Sequence, residues 1–564
     1  FSSNRNGNHD IWVIELDSHN PTVDLSIQDI RPVQVIFNCD LDENGIVDFV
    51  AGKPFAVQVK VSISNAEAVE YIVYELLMDG KSSAKGVTNL IDDSFVIYPD
   101  DTFDEGTHVI TVKINAYNQI NEVDENNNVL SETVNVHNIN KLDLVYIPVD
   151  KTALGALNLN PASYGPLDLD KYESTVEDSN LFIKATYPIP ELVSEKVNVE
   201  YYGSDIPFVG TLSDMIDIWL MGELITDTLA DRSIGVVPHG YFKYHLLDDA
   251  SGLYYWPINA GLVEVEFPTT TAHEIGHSYG LRLPIIGPGE EYNTNPNDRN
   301  SNGIWVNEKQ FMSYKMCFMN SGQIFSSSRL TSASLDRWVC DDDYEDLFVS
   351  FLTSYTPTTS LPFTKDNVIL CSGVVYKNGT IDLMPTYFVE NGFADEVPSG
   401  DYSLKMFDMN EDVISEILFD VQFFVTADSS GTIETDFSGF AFVASYPEET
   451  TSISIEHEGE TLVKFNPHSK LLHDAVDSIP DEGFAKNPNQ RRNTLHNKID
   501  AFEKLLDERS YEEAQLKLEG DIKDKVEKWV VDDYQTDNPL QLSKEEVLAL
   551  ISEEEARIEL ISGQ

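Results

Sequence analysis

Pro268-Thr269-Thr270-Thr271-Ala272-His273-Glu274-Ile275-Gly276-His277-Ser278-Tyr279-Gly280 sets two imidazoles and a carboxylate at the HExxH spacing. On a helix, positions i and i+4 share a face, so His273 and His277 can hold one zinc ion while Glu274 reaches the water bound to it. The competing reading is an amphipathic helix whose histidines only pack, and the flanks weigh against it. Gly261-Leu262-Val263-Glu264-Val265-Glu266-Phe267 alternates apolar and acidic residues with the period of a half-buried strand, and Pro268 leads out of it into the helix. Gly280 can take the left-handed conformation that ends a helix and turns the chain back. Strand, helix and glycine stop together frame a catalytic α/β unit.

With Gly280 included the pattern reads HExxHxxG, and the chain here resembles the metzincin zinc peptidases. That resemblance implies a third metal ligand after two further residues, where this sequence has Leu283, a side chain that cannot bind zinc. No histidine occurs between His277 and His457, so the missing donor is expected to be a carboxylate. Glu290-Glu291-Tyr292 is similar to the Asp-Glu-Tyr element that follows HExxH in peptidases of the IgA-protease type. The similarity implies Glu290 as third ligand, with Glu291 the alternative and Asp298 and Glu308 as outsiders; an ordinary solvated acidic loop is the competing reading. Metzincins also carry a methionine turn, often followed by a tyrosine that stabilises the tetrahedral intermediate. Phe311-Met312-Ser313-Tyr314 resembles it, which implies Met312 in the turn and Tyr314 beside the reacting carbonyl. Cys317-Phe318-Met319-Asn320 is a second match, which makes Met319 the alternative.

The expected class is multidomain. Residues 1–30 hold a hairpin and linker whose opening, Phe1 to Val13, resembles a TolB-type β-propeller repeat; one hairpin cannot make a propeller, which points to a piece of a longer protein. Residues 31–138 read as an immunoglobulin-like β-sandwich, since Val57 to Val61, His108 to Ile114 and Ser131 to Val136 alternate as sandwich strands do. Asn121-Glu122-Val123-Asp124-Glu125-Asn126-Asn127-Asn128-Val129 resembles the penultimate turn of CARDB modules, which implies a microbial surface protein. Residues 139–350 form the α/β (α+β) metzincin-like zinc peptidase domain. A strand at Leu142 to Val149, an apolar helix from Ser213, a strand at Ser233 to Val237 and a further edge strand precede the HExxH helix. Residues 351–466 read as a second β-sandwich. Residues 467–564 read as an α-helical hairpin or bundle, with Leu495, Ile499, Phe502 and Leu506 at helical spacing and Ser510/Glu513 and Ser543/Glu546 as capping boxes.

Composition narrows the setting. Against 96 acidic residues stand 37 basic ones, a formal charge of −59, which disfavours nucleic acid and anionic lipid surfaces as partners. No apolar run reaches the roughly 18 residues of a spanning helix. Asp40-Leu41-Asp42-Glu43-Asn44-Gly45-Ile46-Val47-Asp48 sets oxygen donors Asp40, Asp42, Asn44 and Asp48 around a glycine turn, as a calcium loop begins, although Ala51 stands where an EF-hand has its bidentate glutamate. A merely acidic turn is the other reading. Cys39, Cys317, Cys340 and Cys371 are too dispersed for a disulfide-dense scaffold; Cys317 and Cys340 flank one segment, as a bridge or as free thiols. His239 and His245 read as surface or cleft residues. The expected function is thus a secreted or cell-surface zinc endopeptidase acting on a protein or peptide substrate, with Zn2+ and a candidate Ca2+. The alternative is a catalytically inactive peptidase-like adhesion or scaffold protein.

Overall fold

The computed structural model describes the chain apart from residues 1, 6, 7, 12–22, 65–68, 70, 90–92, 150–165, 198–208, 226–230, 245–250, 256–258, 282–300, 320–334, 336, 354–365, 393, 395–399, 409, 428–430, 448, 509, 533, 535–540, 563 and 564. The architecture is multidomain and sheet-rich, with sandwich-like pairs of sheets and several helices.

At the start, Ser2–Arg5 and Asn8–Ile11 pair antiparallel as a two-stranded hairpin, which no other strand joins among the described residues. The stretch expected to be linker up to residue 30 instead carries strand Asp24–Val33, whose inward residues Leu25, Ile27 and Ile30 are buried. A three-stranded sheet of Asp24–Val33, Ala56–Ser64 and Ser94–Ile97 faces a five-stranded sheet of Val47–Val50, Val129–His137, Gly106–Ile114, Ile72–Met78 and Lys81–Thr88. Val57, Val59, Ile110, Val112, Val134 and Val136 point into one core between them, which is the alternation read from the sequence.

The central region is built on a seven-stranded sheet. Its order is Leu192–Lys196, Leu142–Pro148, Arg232–Val237, Ala260–Glu264, Gly252–Tyr255, Phe424–Ala427 and Gly431–Glu434. The strands from Leu192–Lys196 through Ala260–Glu264 run parallel, and Gly252–Tyr255 is antiparallel to its neighbour. Successive side chains alternate between two cores. Leu144, Tyr146, Ile234, Val236 and Val263 face helix Leu169–Thr186 and the HExxH helix, whereas Val145, Ile147, Val237 and Leu262 face helix Val209–Ile225. That second helix begins before Ser213, the residue expected to cap it, because Met215, Ile216 and Ile218 to Met221 are buried and packing outweighs the local cap signal.

The later β region shares this packing. Strand Asp366–Tyr376 lies between Phe437–Ser445 on one side and Ile381–Leu383 and Tyr387–Gly392 on the other, and a second sheet joins Val413–Phe419, Tyr402–Phe407, Ser452–His457 and Glu460–Phe465. Ile369 and Cys371 face that second sheet; Val368 and Leu370 face helix Val209–Ile225. A strand buried on both faces explains the unbroken apolar run that the sequence shows there. In the helical region Leu495, Ile499 and Phe502 pack with Leu518, Ile522 and Val526. Ser543 and Glu546 exchange hydrogen bonds as a capping box, whereas the Ser510 side chain makes no cap bond, a departure from the sequence reading.

The Asn121 to Val129 turn owes its composition to one buried carboxylate. Glu122 Oε2 accepts from the Leu25 amide at 2.7 Å, Oε1 accepts from Asn128 Nδ2 at 2.7 Å, and Asn115 Nδ2 also donates to Oε1. Removing it strands three donors in the sandwich. Glu122→Ala is therefore expected to cost about 3 kcal/mol, and to accelerate amide hydrogen exchange in strand Asp24–Val33 before other regions respond.

Candidate metal centre

Helix Pro268–Ser278 is buried along its length. Proline at its first turn needs no amide partner, and its end is closed by Gly280, at φ +88°, with the Leu281 amide donating to the Gly276 carbonyl at 3.1 Å. Helix Leu169–Thr186, capped by the Asp168 carboxylate, lies alongside it. Ser179 Oγ meets Thr271 Oγ1 at 2.9 Å and donates to the Pro268 carbonyl at 3.1 Å, and Tyr187 Oη donates to the Ala272 carbonyl at 2.5 Å. These contacts fix the rotation of the helix about its axis, and hence the direction in which His273 and His277 point.

Both rings are pinned from behind. His273 Nδ1 lies 2.9 Å from the Phe318 carbonyl, and His277 Nδ1 lies 2.9 Å from the Leu281 carbonyl. A carbonyl oxygen only accepts, so each Nδ1 carries a proton and each ring turns its Nε2 outward. The two Nε2 atoms stand 3.0 Å apart with the rings at 90°. That separation suits two bonds of about 2.0–2.1 Å to one ion, so this donor pair fits zinc. The backing carbonyls supply the orientation that metal-bound imidazoles ordinarily receive. Phe318 and Leu281 act through the backbone, which no side-chain pattern announces.

Glu274 is 1% exposed. A Cβ on Gly252 would sit 2.4 Å from Glu274 Oε1 and 2.4 Å from Thr270 Cγ2, so the antiparallel strand lies directly against the glutamate because Gly252 has no side chain. Beneath the helix, a Cβ on Gly276 would sit 2.6 Å from Met319 Sδ. Met319 thus packs against the helix at Gly276, from the same turn as Phe318. Met312 is fully buried in the core shared with the HExxH helix, its amide bonded to the Gly303 carbonyl, and Tyr314 is 79% exposed with φ +62°. Glu308 lies exposed in a turn. Leu283, Glu290, Glu291, Asp298 and His245 lie outside the described residues. His239 Nδ1 pairs with the buried Glu264 carboxylate at 3.0 Å, and that hydrogen bond raises the imidazole above its usual range.

Among the described residues three further groups bring possible ligand atoms within 4.8 Å of one another: Asp40/Asp42/Asp48, Cys317/Cys340/Asp343 and His473/Asp500/Glu503. In the first, Asp40 accepts from the amides of Asn44 and Gly45 at 3.0 and 2.7 Å, and Asn44 Oδ1 accepts from the Ile46 amide at 2.7 Å. Asp48 accepts from the Leu41 amide at 2.8 Å and meets His137 Nε2 at 2.7 Å. Glu345, which no sequence pattern marked, has a carboxylate that accepts from the Asp40 amide and is raised chiefly by its own burial. No helix among the described residues is long and apolar enough to cross a membrane.

No protein-family model and no curated protein matches the chain. Two solved structures show weak similarity to it. One is a crystal structure of the CARDB domain of a Pyrococcus furiosus protein in complex with di-metal ions, 18% identical over 21% of this chain and 94% of that one, with a TM-score of 0.17. The other is a solution structure of the CARDB domain of that protein, 19% identical over 20% of this chain and 94% of that one, with a TM-score of 0.13. The similarity is to a CARDB domain, over about a fifth of the chain.

The close approach at Gly252 generates a direct test. Gly252→Ala inserts a methyl against Glu274 and Thr270 and is expected to destabilise the protein by about 1–3 kcal/mol, read as a lower denaturant midpoint. Gly45→Ala, in open space but at φ +82°, reports backbone strain alone and serves as the comparison.

Proposed function

We propose that the chain is a zinc-dependent endopeptidase of metzincin-like design, working outside the cell or at its surface. The observation that carries this reading is the convergence of His273 Nε2 and His277 Nε2 at 3.0 Å, with Glu274 on the same buried helix. Supporting it are the parallel strands, the antiparallel strand Gly252–Tyr255 and the HExxH helix that follows them; that antiparallel strand is not the edge strand expected from the sequence, because Phe424–Ala427 pairs with its outer side. The packing of Met319 against Gly276 favours Met319 over Met312 for the methionine turn. Exposure of the Tyr314 ring leaves it free to swing toward a bound peptide.

His273 and His277 would hold the ion, and Glu290, with Glu291 as alternate, is the proposed third donor. Zinc bound there lowers the pKa of a water ligand toward about 7 and polarises a substrate carbonyl. Glu274 takes the proton from the attacking water and returns it to the leaving amine, which breaks the C–N bond with proton balance. The Phe318 and Leu281 carbonyls hold the imidazoles in the tautomer that presents Nε2. A high net negative charge keeps such a protein soluble and suits a cation-rich medium.

The competing reading, a peptidase-like adhesion or scaffold protein without turnover, draws on Leu283 in the usual third-ligand position. Cleavage of casein separates the two. Glu274→Ala is expected to lower turnover by about 10²–10⁴-fold while zinc content is kept, and His277→Ala to lose turnover together with one equivalent of zinc. Activity unchanged by Glu274→Ala, or a protein that holds no stoichiometric zinc, would sink the enzyme reading in favour of the scaffold.

We also propose that the Asp40–Asp48 loop takes calcium. Added Ca2+ is then expected to raise the unfolding temperature in proportion to log concentration once the site saturates, and Asp40→Ala to remove that response. An unchanged melting curve from chelated to millimolar calcium would leave the loop an acidic turn.

A further inference from the structure

Directly behind the HExxH helix, three buried side chains converge. Cys317, Cys340 and Asp343 are 0%, 2% and 5% exposed. Asp343 Oδ2 lies 2.7 Å from Cys317 Sγ and 2.9 Å from Cys340 Sγ, and the three ligand atoms all fall within 4.8 Å of one another. Both cysteines are free thiols. The backbone prepares this convergence. Short strands Met316–Cys317 and Arg337–Trp338 run parallel, Phe318 donates its amide to the Trp338 carbonyl at 2.7 Å, and helix Asp341–Thr353 starts at once after Cys340. Cys340 and Asp343 therefore form a C-x-x-D pair at a helix start, with Cys317 delivered from the neighbouring strand.

We propose that Cys317, Cys340 and Asp343 form a second metal site that takes a borderline-soft divalent cation, zinc being the natural occupant. The donor chemistry selects the ion. Two sulfurs and one carboxylate oxygen suit zinc, whereas calcium and magnesium require oxygen ligands throughout. Thiolates in so buried a position need a cation to offset their charge. The Cys340 amide points at Cys317 Sγ at 3.4 Å, the kind of N–H to sulfur contact that supports a metal-bound thiolate. Buried Arg337, whose Nη1 donates to the Cys317 carbonyl at 2.9 Å, brings positive charge to the same turn. Loading is balanced as M2+ plus two thiols giving the dithiolate complex and two protons released.

The site has a structural consequence for its neighbour. Cys317 immediately precedes Phe318, whose carbonyl holds His273 Nδ1, and Met319, which lies against Gly276. An ion at Cys317 clamps the turn that orients the first histidine. The inference stands apart from the peptidase reading, because it concerns ligands that the hydrolytic scheme does not use.

The test uses the full chain, prepared under reducing conditions and reconstituted with zinc or with cobalt(II). A thiolate bound to cobalt gives a near-ultraviolet charge-transfer band that histidine and carboxylate ligands do not give, so the wild-type protein alone reports this site. The band is expected in wild type and in a His273→Ala/His277→Ala variant, which should keep about one equivalent of zinc. It is expected to vanish in Cys317→Ser/Cys340→Ser and to persist in Cys371→Ala, a buried thiol elsewhere. Absence of the band from folded wild-type protein would overturn the proposal. So would a Cys317–Cys340 disulfide found by peptide mass spectrometry after reconstitution, or a His273→Ala/His277→Ala variant that folds and holds no metal.

Discussion

Two imidazole nitrogens held face to face at 3.0 Å inside a dry core form the constraint on which the centre of this protein depends. With each Nδ1 committed to the Phe318 or Leu281 carbonyl, both Nε2 atoms are turned toward one point. Keeping the rings there takes a helix that cannot rotate. The grip of Ser179 and Tyr187, the close strand at Gly252 and the thioether of Met319 supply that rigidity from different sides.

The supports of that helix reach far along the chain. Val35 accepts from the Ile304 amide at 2.9 Å and from Trp338 Nε1 at 3.3 Å, and Val35 and Ile36 share a core with Ala272 and Ile275. Lys53 Nζ donates to the Lys184 and Tyr187 carbonyls at 2.8 and 2.9 Å, a cation at the C-terminal end of helix Leu169–Thr186. Burial pulls that lysine down to about 7, while the helix-end carbonyls favour its charged form. The N-terminal sandwich is thereby fastened to the region that carries the histidines. On the far side, strands Phe424–Ala427 and Gly431–Glu434 extend the central sheet and strand Asp366–Tyr376 covers helix Val209–Ile225. Accessory modules and site are one packed structure, so the strength of the fastening bears on the geometry of the centre.

Legibility followed the range of the interaction. The HExxH spacing and the alternation of Val57, Val59, Val134 and Val136 are local patterns, and the folded chain keeps them. Strand Asp24–Val33 was hidden because its burial pattern slips at a bulge between Ile27 and Asp29, which breaks the period-2 signal. Ser510 does stand at the N-cap of helix Tyr511–Lys517, and only its side-chain cap bond is missing. Gly252 and Phe318 escaped notice because their contribution lies in what the backbone permits, a close approach and a carbonyl direction. Glu122 looked like one acid among many until Leu25, nearly a hundred residues earlier in the chain, proved to be its partner.

By itself, then, the sequence determined the spacing of His273 and His277 with Glu274 between them, the sandwich strands and the net charge, because each depends on residue type and short separation. Only the tertiary structure decided that Met319 lies against Gly276, which carbonyls back the two imidazoles, and that Cys317, Cys340 and Asp343 share one buried point. Those are contacts between segments tens of residues apart. They arise when a parallel sheet brings chain ends to one edge, and no local pattern carries that information.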